Sequence, residues 1–188
     1  MHTEVAVVEP LIDRLRDAVR LGDVTAIANR IKQDLEEFIP AEGLILPDRF
    51  RQPKADSYAR RLLYKDDELG FTALVMTWGP GQRTALHDHA GIWCVEGVLE
   101  GAMEVTRWEL LAEDDGICRF AERGTVPARA GSAGALIPPF EHHVLANARN
   151  QPSLTLHVYG GEMTSCDIFE SFGDGLFRRV TRSLKYDD

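Results

Sequence analysis

The 188-residue sequence predicts a mainly β fold, a barrel or sandwich preceded by a short α-helical region. Apolar residues recur at helical spacing in the first forty residues, whereas from about Tyr58 onward apolar and polar residues alternate with a period of two. Turn signals separate the alternating segments. We therefore expect N-terminal helices over residues 1–45 that pack on a β-barrel over residues 46–188, together forming a single structural unit.

Two helices are expected in the N-terminal region. The first follows Pro10, a residue favoured at a first helical turn, and its apolar positions are Leu11, Leu15, Ala18 and Val19. Gly22 interrupts the pattern, and Asp23 can then cap a second helix that ends at Pro40. The apolar face of this second helix is Val24, Ile27, Ile31, Leu35 and Phe38.

Five segments have the alternation of half-buried strands. They are YARRLLY (58–64), FTALVMTW (71–78), MEVTRWEL (103–110), ICRFAE (117–122) and SLTLHVY (153–159). Turns such as Gly79-Pro80-Gly81 separate them. Many short strands spaced by turns are typical of a barrel.

Composition excludes several classes of protein. The 21 Lys and Arg against 30 Asp and Glu give a net charge of −9, and no dense basic stripe is present, so a nucleic-acid partner is not expected. No apolar run approaches the roughly 18 residues of a membrane span. Three scattered cysteines do not make a disulfide framework, and the N-terminus is unlike a signal peptide. We expect a cytoplasmic protein with no membrane association.

The HDH segment suggests a metal site, because His87 and His89 on a strand would point to the same side. Gly81 precedes His87 by six residues, and Cys94 and Gly101 follow at the spacing of the first motif of the cupin superfamily, which this region resembles. In many cupins the position of Cys94 carries a ligating glutamate. The resemblance implies a cupin jelly-roll barrel.

A third histidine ligand is expected from the segment PPFEHH (138–143) followed by Asn147, which resembles the second cupin motif. Counting back from Asn147 selects His143, whereas counting back from Tyr159 selects His142. We choose His143, because its anchors lie nearer in the chain.

The absence of a glutamate at Cys94 has a chemical consequence. Three neutral imidazoles leave a divalent ion its full charge, which favours an anionic ligand such as a thiolate, and imidazole suits iron among several metals.

Four features narrow the resemblance to the cysteine dioxygenase family of thiol dioxygenases, over about Tyr58 to Gly161. They are Tyr58-Ala59-Arg60, the segment TWGPGQRTALHDH (77–89), Cys94, and the alternating Thr155, His157 and Tyr159. Strict alternation puts these last three side chains on one strand face. They resemble the family's hydroxyl–imidazole–phenol relay, with Thr155 in place of the usual serine.

The resemblance implies roles for these residues. Arg60, helped by Tyr58, would bind the substrate carboxylate. Relatives that prefer 3-mercaptopropionate usually carry glutamine at this position, so Arg60 favours an amino-acid thiol. Tyr159, oriented by His157 and Thr155, would act at the reacting oxygen or proton. In mammalian relatives the cysteine at the position of Cys94 forms a thioether with the relay tyrosine; here Cys94 can equally be a small buried residue.

The function implied is that of an Fe(2+) enzyme that adds both atoms of O2 to a small thiol. L-cysteine, giving cysteine sulfinate, is the expected substrate, and 3-mercaptopropionate or mercaptosuccinate are alternatives. A non-catalytic metal-binding cupin is a further alternative from a different class. The sequence leaves the oligomeric state open.

Overall fold

The computed structural model describes the backbone of residues 2–41 and 44–188, and the side chains of residues 8–41 and 44–188. Residue 1 and residues 42–43 of the predicted helical region therefore lie outside the described residues. The chain forms two α-helices, a 3₁₀ helix and eleven strands: α1 (His2–Val19), α2 (Val24–Ala41), the 3₁₀ helix (Asp48–Arg51), β1 (Ala59–Asp66), β2 (Phe71–Trp78), β3 (Leu86–His87), β4 (Cys94–Glu100), β5 (Ala102–Asp114), β6 (Ile117–Arg129), β7 (Ala133–Leu136), β8 (His143–Ala146), β9 (Ser153–Tyr159), β10 (Ser165–Gly173) and β11 (Leu176–Ser183).

The strands form two sheets that confirm the predicted mainly β, cupin jelly-roll class. One sheet has the order β1-β2-β9-β4-β7, and the other closes on itself in the order β10-β11-β6-β5-β8-β3. All strand pairs are antiparallel. Neither α1 nor α2 has the length and apolarity that a membrane-spanning helix needs.

The helices cover the outer face of the five-stranded sheet. Their buried residues form one core with the outward side chains of β9, which are Leu154, Leu156 and Val158. α2 lies so close to β4 that a Cβ on Gly97 would be 3.1 Å from Leu35 Cδ1. The opposite face of β9, which carries Thr155, His157 and Tyr159, is thereby left to line the interior of the barrel, as strand alternation predicts.

Both helices differ in detail from the sequence-based expectation. α1 begins at His2 and contains Pro10 instead of starting there. Its buried face already includes Val8 before the proline and continues through Leu11 and Ile12, so packing offsets the hydrogen bond that proline cannot make. α2 extends one residue past Pro40. Val24 is 40% exposed and does not belong to the buried face.

The start of α2 agrees with the prediction. Asp23 Oδ1 accepts a hydrogen bond from the Ala26 backbone N–H at 2.9 Å, as an N-cap does. The residues Ile27, Ile31, Leu35 and Phe38 are all buried.

Candidate metal centre and its cavity

Three histidines converge inside the barrel. His87 lies on β3 directly opposite His143 on β8, and His89 follows two residues after His87, just beyond the end of β3. The ring centroids are 4.7 Å apart for His87 and His143 and 5.1 Å apart for each of the other two pairs. One ring nitrogen from each residue lies within 4.8 Å of the others. The spacing is that of three ligands around one ion.

Hydrogen bonds between side chains and the backbone hold the segments that carry the three histidines. Between the two histidines, Asp88 Oδ1 accepts from the backbone N–H groups of Ala90 and Asp167, which ties the turn to β10. Behind His143, the Asn147 side-chain amide donates to the carbonyls of Trp78, Gly79 and Gln151. Asn147, predicted as a motif residue, thus holds the end of β8 against the end of β2.

The histidine nitrogens fit a metal ion. His89 and His143 are fully buried, and neither ring nitrogen of either residue has a hydrogen-bond partner in the described part of the chain. His87 Nδ1 is hydrogen-bonded to the Ala85 carbonyl at 3.0 Å, which leaves Nε2 as the nitrogen that can bind a metal ion. Burial lowers the pKa of His143 to about 3 and the pKa of His89 well below its ordinary value. Neutral imidazole is the form that binds metals.

His142 lies elsewhere. Its ring packs edge-on against Phe120 and Phe169, with centroid distances of 5.1 and 5.4 Å, in a small apolar cluster. Adjacent residues of a strand point to opposite sides, so only one of the two neighbouring histidines can face the metal centre. The structure brings His143, and not His142, together with His87 and His89.

The relay residues form a hydrogen-bonded chain along β9. Trp78 Nε1 donates to Thr155 Oγ1 at 2.9 Å, and Thr155 Oγ1 lies 2.7 Å from His157 Nε2. The hydroxyl has one donor and two acceptor sites, so it can accept from Trp78 and also hydrogen-bond His157 Nε2. Tyr159 Oη lies 3.5 Å from His157 Nδ1.

Cys94 and Tyr159 are directly opposite each other on the paired strands β4 and β9. Both side chains are buried, and burial raises the pKa of each. Directly opposed residues have Cβ atoms roughly 5 Å apart, so the two side chains can meet. The thioether bond between them stays a prediction.

A carboxylate that the sequence analysis did not identify lies at the centre of this group. Glu96 Oε1 is 3.1 Å from His157 Nδ1, 3.5 Å from His143 Nε2 and 3.9 Å from His89 Nε2. Burial opposes ionisation of Glu96, but His143 and His157 beside it keep its pKa below the ordinary value. The three histidines form a group of their own, as expected from Cys94, and Glu96, two residues further along β4, brings a carboxylate to the side of that group.

Arg60 and Tyr58 line the same small cavity as His87, His157 and Tyr159. Arg60 is 5% exposed; its Nη2 donates to the Met163 carbonyl at 2.9 Å, and its Nε has no partner among the described residues.

The C-terminal segment closes over this arginine. Asp187 accepts the Arg60 backbone N–H at 2.8 Å and pairs with Lys54 at 2.6 Å, and Tyr186 stacks under the guanidinium. Tyr58 stacks on Trp78 with ring centroids 4.5 Å apart. The Arg60 guanidinium donates to backbone carbonyls, those of Met163 and Lys185, and no carboxylate of the described residues forms an ion pair with it.

Two cavities reach this region from different sides. The one lined by Arg60 measures about 20 Å³, room for about one water, so a larger ligand requires its rim side chains to move. The other measures about 330 Å³ and is mostly apolar. Glu96 and Leu145 line both cavities and separate them.

Comparisons with known proteins identify related sequences. The family model described as Cysteine dioxygenase type I matches residues 16–171. Cysteine dioxygenase type 1 of Homo sapiens is 22% identical over 185 residues, and that of Danio rerio is 23% identical over 173 residues. Each match covers 90% of this chain and 83% of the relative.

Solved structures with some similarity are more distant. An uncharacterized conserved protein with a double-stranded β-helix domain from Klebsiella pneumoniae has 19% identity and a TM-score of 0.47, and the match covers 63% of this chain and 84% of that chain. The Schizosaccharomyces pombe Cnp3 cupin domain has 13% identity and a TM-score of 0.43, with 56% and 65% covered.

Proposed function

Because the chain belongs to the cysteine dioxygenase type I family, we propose that it is an Fe(2+)-dependent thiol dioxygenase that converts L-cysteine to cysteine sulfinate. The reaction balances without a reductant: the thiol R–SH and O2 give R–SO2H, with both oxygen atoms on sulfur. The observation that carries this proposal is the buried Arg60 guanidinium, which lines one cavity with His87 and the relay residues and has no carboxylate partner in the described chain.

The three histidines His87, His89 and His143 would hold the iron. When bound, the ion supplies positive charge that favours the thiolate form of the substrate, and it brings thiol and O2 together. Arg60 would bind the substrate carboxylate through its two-pronged guanidinium, with Tyr58 beside it.

The relay residues Thr155, His157 and Tyr159 would hold and transfer a proton during the reaction. Thr155 Oγ1 contacts His157 at Nε2, and the other ring nitrogen, Nδ1, faces Tyr159 Oη and Glu96. With its proton on Nδ1, His157 would donate to Tyr159 Oη and orient the phenol, whose own proton would then serve the substrate in the cavity that Tyr159 lines. The apolar wall formed by Met76, Leu145 and Met163 excludes bulk water from these groups.

Oxygen consumption by the iron-reconstituted protein tests the proposal. L-cysteine, 3-mercaptopropionate and mercaptosuccinate are compared, and products formed under ¹⁸O2 are identified by mass. We expect fastest uptake with L-cysteine and two labelled oxygens in the product. Faster uptake with another of these thiols would reassign the substrate. Absence of uptake with every thiol, despite bound Fe(2+), would favour a non-catalytic metal-binding cupin.

The role of Arg60 can be tested with a control substrate that lacks a carboxylate. Arg60→Ala is expected to raise the KM for L-cysteine by about tenfold or more, because a charge-assisted pair to the carboxylate is lost. Cysteamine has the thiol and amine of cysteine but no carboxylate, so its KM should not change. An equal rise for both thiols would contradict carboxylate binding by Arg60.

A further inference from the structure

Glu96 is a mostly buried acidic residue that lines the barrel interior and that the proposed reaction does not require. It lies on β4 directly opposite His157 on β9, and its side chain is 12% exposed. It stands two residues after Cys94, so both side chains point to the same side of the strand. Cys94 therefore occupies the usual position of the cupin glutamate. The carboxylate of Glu96 reaches the same interior from the next inward-facing position of the strand.

The carboxylate oxygen lies beside two of the three histidines, His89 and His143, at separations that two ligands of one ion can have. Two donors bound to one ion at about 2.1 Å can be at most about 4.2 Å apart. The separations of Glu96 Oε1 from His143 Nε2, 3.5 Å, and from His89 Nε2, 3.9 Å, are both below this limit. These two nitrogens are also among the buried side-chain atoms that have no hydrogen-bond partner in the described chain.

Charge also favours an ion at this point. A buried carboxylate needs a cationic or hydrogen-bonding partner. The ion-pair partners of Glu96 within the described residues are imidazoles, those of His89, His143 and His157. Cys94 Sγ donates a weak hydrogen bond to Glu96 Oε1 at 3.9 Å, and no lysine or arginine of the described chain pairs with this carboxylate.

We propose that Glu96 is the fourth protein ligand of the metal ion that His87, His89 and His143 bind, giving a three-nitrogen, one-oxygen donor set. The carboxylate cancels one of the two positive charges of a divalent ion and occupies a position that three histidines alone would leave open. This inference rests on the metal site of the proposed function but not on its thiol chemistry.

The competing role for Glu96 is to orient His157, which it contacts at 3.1 Å. In that case Glu96 would affect the relay and would have no direct bond to the ion. The two roles differ in what happens when His157 is absent, because only a direct ligand retains its effect on the metal.

Binding of Co(2+) alone provides the test, without thiol or O2. Glu96→Gln keeps the shape of the side chain but removes the charge, and we expect it to weaken Co(2+) binding by about tenfold or more, measured by competition with a chelator. The visible spectrum of the bound Co(2+) should change as well. Glu100→Gln is the matched control, because Glu100 is on the same strand but pairs with Arg51 at the surface; it should bind as the unaltered protein does.

A double-mutant cycle separates the two roles. In a His157→Gln background, Glu96→Gln should still weaken Co(2+) binding by the same factor. If the loss disappears in that background, Glu96 acts through His157 and the proposal is wrong.

X-ray absorption of the unaltered Co(2+) protein gives an answer that does not depend on any variant. Three imidazoles and a carboxylate oxygen at about 2.1 Å support the proposal, and imidazoles without a carboxylate would overturn it. Because none of these measurements uses a thiol, a failure of dioxygenase activity would leave their outcome unaffected.

Discussion

His142 and His143 are neighbours in the chain with opposite surroundings, which makes them a matched pair. His143→Ala removes a buried nitrogen that faces His87, so we expect the variant to retain little iron after reconstitution. His142→Ala removes a ring that packs against Phe120 and Phe169, so we expect lower stability but normal iron content. Metal analysis of the folded proteins checks both. Full iron content in His143→Ala would refute its assignment as a ligand.

Sequence motifs predicted the three histidines that cluster in the structure, whereas Glu96, which belongs to no motif, was missed. The HDH segment and the second motif place three histidines correctly near one another. Glu96 was missed because motif spacing assigns the carboxylate position to Cys94. The signal was present in the alternation of β4, since the residue two places after Cys94 must face the same interior.

At the scale of the element, α2 is held by apolar packing against β4 and β7. Leu35 is fully buried and touches the sheet at Gly97, where a side chain would collide with it. The helix therefore depends on a small residue in the strand as well as on its own apolar face.

Leu35→Ala tests this packing. We expect the free energy of unfolding to fall by about 2–5 kcal/mol, as for other large-to-small changes in a core. Leu111→Ala is the same substitution at a residue that is 50% exposed on β5, and it should change stability by less than about 0.5 kcal/mol. Urea denaturation of both variants makes the comparison. Similar losses would mean that α2 does not depend on this contact.

Element boundaries were predicted unevenly, for physical reasons. The segment 71–78 coincides with β2, but every residue of this strand is buried, so β2 is covered on both faces and is not the half-buried strand that alternation predicts. The start of α1 was misplaced, because proline is a start signal by local preference, whereas tertiary packing carries the helix through it. β3 has only two residues, too few for any periodic pattern, and only the histidine motif marks it.

At the scale of the whole molecule, the apolar core under the helices and the polar site lie on opposite faces of the five-stranded sheet. The helices and the outward face of the five-stranded sheet form the larger apolar core, so the barrel interior can accommodate polar groups. One polar connection joins α1 to the barrel: Arg16 Nε donates to Asp66 Oδ2 at 3.1 Å, and Asp66 is 9% exposed. Tyr64 Oη completes the group at 3.1 Å from the same carboxylate oxygen.

This connection predicts a pH dependence of stability. The backbone N–H of Leu69 and the Arg16 guanidinium hold the pKa of Asp66 below its ordinary value. A carboxyl whose pKa is lower in the folded state stabilises the fold above its unfolded pKa, about 4, and loses that contribution as the pH falls through the folded pKa. Asp66→Asn should therefore be less stable than the unaltered protein at pH 7, and the difference should narrow below about pH 4.

Urea midpoints at pH 7, 4 and 3 measure this difference. Asp67→Asn, the next residue and 83% exposed, removes the same charge without touching α1 and serves as the control. A difference between Asp66→Asn and the unaltered protein that stays constant across these pH values would contradict the linkage.

The contacts of residues 185–188 with Arg60 and Arg61 have a practical consequence for anyone producing the protein. Lys185 and Asp188 offer backbone carbonyls to these two arginines, and Asp187 accepts the Arg60 backbone N–H. A substitution in this segment would therefore alter the surroundings of Arg60, the arginine proposed to bind the substrate carboxylate. Apparent affinity for a thiol carboxylate measured on a variant with such a change should be compared with that of the unaltered chain before it is interpreted.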